Sequence, residues 1–157
     1  MLFKAVLVAQ LDRPEDKFTA EINLAEIFAE NKVQVVPSLN LLKQGAPLTV
    51  LVSDSIKSIL KEKQIDTYIL VNVRGYDRAF RPSTKIGTLE QELSVGHMFP
   101  LFRDEITSIT FEFNFFREDK LIHTELLRLR NVSTKEKLIQ KLHKKLPSRI
   151  SSWRPRF

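Results

Sequence analysis

The sequence predicts a mixed α/β domain built on one sheet of about five strands. Three observations carry this. A nearly continuous β-prone run, FKAVLVA at 3–9, is followed by a helical period and then by a second short run, VQVV at 33–36. A third buried run, TYILVNV, occupies 67–73. Later, ITFEFNF from 109 alternates apolar with polar residues and turns at Arg117–Lys120 into an antiparallel return.

The polar stretch Asp12-Arg13-Pro14-Glu15-Asp16 breaks the first strand, and a helix is expected over about 17–31, with Phe18, Ile22, Ala25 and Phe28 at helical spacing. Strand–helix–strand implies parallel pairing of the first two strands. Ser38 is placed to cap a short helix at 39–44 that ends at Gly45. A single helix is expected over about 49–63, before the third strand. Residues 75–104, punctuated by Gly75, Pro82, Gly87, Gly96 and Pro100, form a long irregular connection of the kind that is often either functional or mobile. Leu121 to Arg130 returns as an antiparallel partner and completes a hairpin. Ser133-Thr134-Lys135-Glu136 has a capping-box pattern, starting a helix with Leu138, Ile139, Leu142 and Leu146 on one face and an end at Pro147. The order is β-α-β-α-β, a hairpin and a C-terminal helix. This gives one domain over 1–147 and a basic, loosely packed tail over 148–157.

Composition narrows the chemistry. With no cysteine, disulfides, thiolate metal sites and cysteine nucleophiles are excluded. Four scattered glycines cannot form a phosphate-binding loop. There is no Gly-x-Ser-x-Gly elbow and no HExxH pair, and His97, His123 and His143 stand far apart. No catalytic residue, metal site or cofactor is assigned, and the expectation is a protein that is not an enzyme. No apolar run approaches the ~20 residues that span a bilayer.

Two sets of residues remain as candidates. Ligands in open α/β sheets sit at the carboxyl ends of parallel strands. Those ends supply Asp12 and Arg13, then Ser38 and Asn40, then Arg74, Asp77 and Arg78. Asp, Ser and Asn also favour such positions for backbone reasons alone. The net charge of +6 is concentrated late, in Lys135, Lys137, Lys141, Lys144 and Lys145 and then Arg149, Arg154 and Arg156. The last three are candidate polyanion contacts, with Trp153 and Phe157 available to stack on bases, insert at a membrane surface or dock the tail.

A longer pattern joins these elements: KAVLVA, an Asp-rich turn, a helix with an inward Glu21, VQVVPS, a helix leading to IDTYILVNV, and the hairpin FREDKLIHTE. It resembles a group of bacterial envelope proteins, many of them lipoproteins. At the fold level it is also similar to the amino-terminal domain of the translocation protein TolB and to periplasmic activators of peptidoglycan synthases. The resemblance implies a non-catalytic accessory or binding domain, periplasmic or anchored at the outer membrane. It would be an exported lipoprotein domain carried here without its signal, with a protein or an envelope polymer as partner. The alternative is a cytoplasmic nucleic-acid or ribosome-associated binder using the basic tail.

Overall fold

The computed structural model describes residues 3–97 and 99–153. Its single sheet has the order β2-β1-β3-β4-β5, from β1 (Phe3–Ala9), β2 (Val33–Pro37), β3 (Thr67–Tyr76), β4 (Ser108–Arg117) and β5 (Lys120–Arg130). β1 pairs in parallel with both β2 and β3, while β3–β4 and β4–β5 are antiparallel. The expected parallel unit and hairpin are therefore present in one mixed sheet.

Helices cover both faces. On one lie α1 (Pro14–Glu30) and α4 (Lys135–Trp153), which bury Leu24, Ile27 and Phe28 and Leu138, Leu142 and Leu146 against Leu7, Ile69, Phe113 and Phe115. On the other lie α2 (Asp54–Glu62), α3 (Leu89–Ser94) and the 3-10 segment Leu48–Val52, packed on Val6, Val8, Tyr68, Leu70 and Phe116. β1 is covered on both sides, and Ala5 to Val8 are fully buried.

Several boundaries differ from the sequence expectation, each for a physical reason. α1 begins at Pro14, whose fixed φ and missing N–H suit the first helical position, with Glu15 and Asp16 favourably placed in the first turn. The helix expected at 39–44 is only a 3-10 turn, Ser38–Asn40, because the Ser38 hydroxyl is bonded to Lys17 and Glu21 and does not cap it. The helix expected over 49–63 is two elements. Ser53, at φ −69° and ψ 157°, breaks the chain, and its hydroxyl accepts from Ile56 N to cap α2. Within the irregular 75–104 connection lies α3, started by a capping box of Thr88 and Gln91.

The largest correction concerns the C-terminus. α4 does not stop at Pro147 but continues to Trp153, and Ile150 and Trp153 are 0% and 1% exposed. Residues 148–153 thus belong to the packed domain, not to a loose tail. Its cap is Thr134, whose hydroxyl accepts from Lys137 N, while Ser133 Oγ accepts from Lys137 Nζ.

The alternation in β4 also has a different meaning. Thr110, Glu112 and Asn114 are as buried as the phenylalanines, each at 2% exposure. The connection after β3 meets Glu112, to which Ser83 N and Oγ donate at 2.8 and 3.0 Å and the neighbouring Asn114 Nδ2 at 3.1 Å. Gly75 is needed where this connection leaves the sheet, because a methyl group there would stand 2.2 Å from Phe80 Cζ. Gly75→Ala is expected to displace Phe80 and cost about 1–3 kcal/mol, as overpacking does. A thermal melt of the variant tests this, and an unchanged midpoint would contradict the packing.

Candidate functional site

The carboxyl ends of β1, β2 and β3 form the edge where the sequence places its ligand-facing residues. The structure divides this edge into two halves with different fillings.

Between β1 and β3 the edge is closed by chain. Tyr76 OH donates to the carbonyl of Pro100, and its ring meets Phe99 edge-on at 5.5 Å and the Arg103 guanidinium at 4.7 Å. Burial pushes the Tyr76 phenol up to about 12, so this hydroxyl stays a donor. Asp16 ties the same segment to both helices, accepting from Leu101 N at 3.2 Å and from Lys135 Nζ at 3.1 Å. Gln10, 2% exposed, donates to Glu92 O at 2.8 Å and so fastens α3 to the end of β1.

Between β1 and β2 sits a buried polar network. Glu21 is fully buried, and its Oε2 accepts from Ala9 N (3.0 Å), Ser38 Oγ (2.6 Å) and Lys17 Nζ (2.5 Å). Its Oε1 accepts from Leu39 N at 3.0 Å. Lys17 completes its set with Ala9 O at 3.1 Å and Ser38 Oγ at 2.9 Å. The polar groups therefore satisfy one another, joining the end of β1, the first turns of α1 and the end of β2.

Above this network opens a groove of about 740 Å³ between α1 and the 39–48 segment. Leu11, Phe18, Leu39, Leu42 and Leu48 line it, and Asp12, Glu15 and Lys43 add charge. Phe18 is 58% exposed there. A concave, mainly apolar surface with few polar groups suits binding.

The residues named from the sequence do not converge on one point. Asp12 is exposed and lines the groove, Arg13 is the exposed residue before α1, and Asn40 is exposed at the end of its 3-10 turn. Ser38 is wholly inside the network. Arg74 and Arg78 flank Phe80, at 5.5 and 4.7 Å from its ring, and Arg74 Nε also donates to Arg81 O. Asp77, at φ 62°, accepts from Thr107 N, Thr107 Oγ1 and Ser108 N, and these backbone bonds hold its carboxyl below the usual carboxylate range. Arg149 lies exposed on α4, whereas Arg154 and Arg156 fall outside the described residues, as does Phe157. Trp153 packs at 5.0 Å from Phe113 and 6.3 Å from Phe115, so its ring is part of the core and does not face a nucleic acid or a bilayer. Sequence reasoning missed Lys17 as Glu21's partner, and their i,i+4 spacing was the available signal.

His97 reads in the sequence as an ordinary residue, but its Nε2 is buried without a hydrogen-bond partner among the described residues. Burial lowers its pKa, against the opposite pull of Asp12, Glu92 and Glu112. The fold thus holds the neutral ring, and the unfolded chain binds more protons than the native one just below pH 6.5. Stability present above that pH is expected to fall as the pH drops through the depressed native value. Urea midpoints at pH 7.5 and 5.5 should differ less in His97→Gln than in the parent; equal pH dependence would contradict this.

Among the described residues no three side chains of metal-binding type cluster, and no helix is long and apolar enough to cross a membrane.

No protein-family model matches the chain, and no curated protein matches it by sequence. Solved structures do. A PelC dodecamer from Paraburkholderia phytofirmans is 12% identical with a TM-score of 0.50, over 95% of this chain and 84% of that one. A PelC variant from the same organism gives 10% identity and a TM-score of 0.50, covering 96% and 86%. The chain shares a fold with PelC. Lipoprotein GNA1162 from Neisseria meningitidis aligns over 96% of this chain and 99% of its own, at 9% identity and a TM-score of 0.45.

Proposed function

We propose that this chain is a non-catalytic accessory domain of the bacterial cell envelope that works as an assembly of identical copies. The observation that carries the first part is the edge at the strand ends. Its buried polar groups Glu21, Lys17 and Ser38 bond to one another and to the backbone, and the groove beside them presents Phe18 and four leucines, with Asp12, Glu15 and Lys43 adding charge. Such a surface offers a docking place. The likeness of the strand–helix–strand pattern to envelope lipoproteins supports the address. The dodecamer formed by PelC, which has the same fold, supports assembly from copies of one chain.

Native mass spectrometry of the purified protein tests the assembly, with multiples of 18.2 kDa expected. A monomer at ~100 μM, a concentration well above the micromolar dissociation constants of modest interfaces, would exclude it. Cell fractionation of the producing organism tests the address, and recovery in the cytoplasmic fraction would overturn it.

One observation favours a second reading, a polyanion binder. The solvent side of α4 carries Lys137, Lys144, Lys145 and Arg149 against Glu136, its one exposed acid among the described residues. Salt-dependent retardation of nucleic acid would support this reading, and no binding at ~50 mM salt, where such contacts are strongest, would end it.

A further inference from the structure

We infer that the copies associate through the outer face of the helical layer, with α1 of one copy against α4 of another. The inference rests on the assembly reading above and names the surfaces that make the contact.

The charges of this layer are separated by helix. The basic residue of α1, Lys17, is turned inward to Glu21, so that its exposed charges, Glu15, Glu26 and Glu30, are all acidic. Between them lie Phe18 and Ile22, 58% and 42% exposed, spaced i,i+4 as a short apolar ridge. α4 is the converse. Lys137, Lys144, Lys145 and Arg149 are exposed and Lys141 half-buried, and none of the five is in an ion pair among the described residues. Lysine stems can lie along apolar side chains while the ammonium groups remain near water or carboxylates.

The two helices are also parallel and level. Lys135 Nζ reaches Asp16 Oδ1 at 3.1 Å, and His143 Nε2 lies 2.8 Å from Asn23 Oδ1. These pairs are separated by 119 and 120 residues, so positions on α1 and α4 keep a constant offset to about one residue, or ~1.5 Å of helix rise. A rotation about any axis parallel to the helices preserves those levels between copies. Glu26 then stands level with Lys145 and Glu30 with Arg149, while the Phe18–Ile22 ridge stands level with Lys137 and Lys141. The same match serves a ring or a pair, since the order of the rotation does not enter.

Two variants test this. The first, Lys137→Glu/Lys141→Glu/Lys144→Glu, spoils the α4 face. The second, Phe18→Ser/Ile22→Ser, spoils the α1 face. Circular dichroism melts confirm that each folds. In sedimentation velocity each variant alone is expected to lose at least about tenfold in self-association, as truncation at a charged or apolar contact does. An equimolar mixture should form one-to-one pairs, because the intact α1 of the lysine variant meets the intact α4 of the other, and the two spoiled faces stop the assembly there. If the parent assembles and both variants assemble equally well, these surfaces are wrong while the assembly reading stands. A parent that is monomeric throughout removes both. If the lysine variant instead loses binding to duplex DNA or to anionic vesicles with self-association unchanged, the α4 face belongs to a polyanion and the inference falls.

Discussion

Glu21→Ala is expected to destabilise the domain by about 3 kcal/mol, a loss in the range found when one partner of a buried ion pair is removed. The carboxylate is fully buried and takes four hydrogen bonds, from two backbone amides, a hydroxyl and an ammonium. Without it, Ala9 N and Leu39 N have no acceptor, and Lys17 keeps its charge with only Ala9 O and Ser38 Oγ beside it. The Lys17 side chain is 15% exposed, so water relieves part of that charge, which places the expected loss near the lower end of the range. For a domain of this size the melting temperature should fall by about 10 °C. Lys17→Met leaves the opposite charge uncompensated and should also destabilise. The double variant Lys17→Met/Glu21→Ala should cost less than the sum of the single variants, giving a coupling above ~1 kcal/mol in a double-mutant cycle. A loss under ~1 kcal/mol for Glu21→Ala, the size of an ordinary neutral hydrogen bond, would show that the network is not the clamp described.

This network marks the border of what the sequence could say. Local patterns determine the elements: the apolar runs of β1 and β3, the i,i+4 face of α4 and the turn at Arg117–Lys120 were all legible, and so was their assembly into one mixed sheet. Interactions between elements were not. Ser38 follows a proline and precedes a leucine pair, which reads as a helix cap, yet its hydroxyl goes to Glu21, seventeen residues earlier. The alternation of β4 reads as a strand with one wet face, because nothing in residues 108–117 reveals that Ser83 and its neighbours will cover Glu112. Asp12, Arg74, Asp77 and Arg78 lie near strand ends. The contacts of Arg74 and Arg78 depend on Phe80 and those of Asp77 on Thr107, both from segments with no periodicity to read.

Trp153→Ala is expected to cost about 3–5 kcal/mol, the range for truncating a large buried aromatic. The residue lies beyond Pro147, which has no N–H to give to the carbonyl of His143, and a proline inside a helix costs about 3 kcal/mol. The helix should therefore end there unless burial of its last turn outweighs that loss. Trp153 and Ile150 are both almost wholly buried. Burying a tryptophan removes roughly 200 Å² from water, worth about 5 kcal/mol at 25 cal/mol per Å², and an isoleucine adds about 2. Burial of this last turn opposes the proline penalty, and in the structure the helix continues and the indole reaches Phe113 and Phe115. Truncation after Pro147 should do more damage than Trp153→Ala, because it removes Ile150 as well, and Trp153→Phe should do less. Far-UV circular dichroism in urea measures all three. Trp153 is the single tryptophan of the chain, so the parent provides a direct check. Its native fluorescence should be shifted to the blue and move to the red on unfolding, whereas emission typical of water in the native state would place the indole outside the core and remove the reason for the helix to pass Pro147.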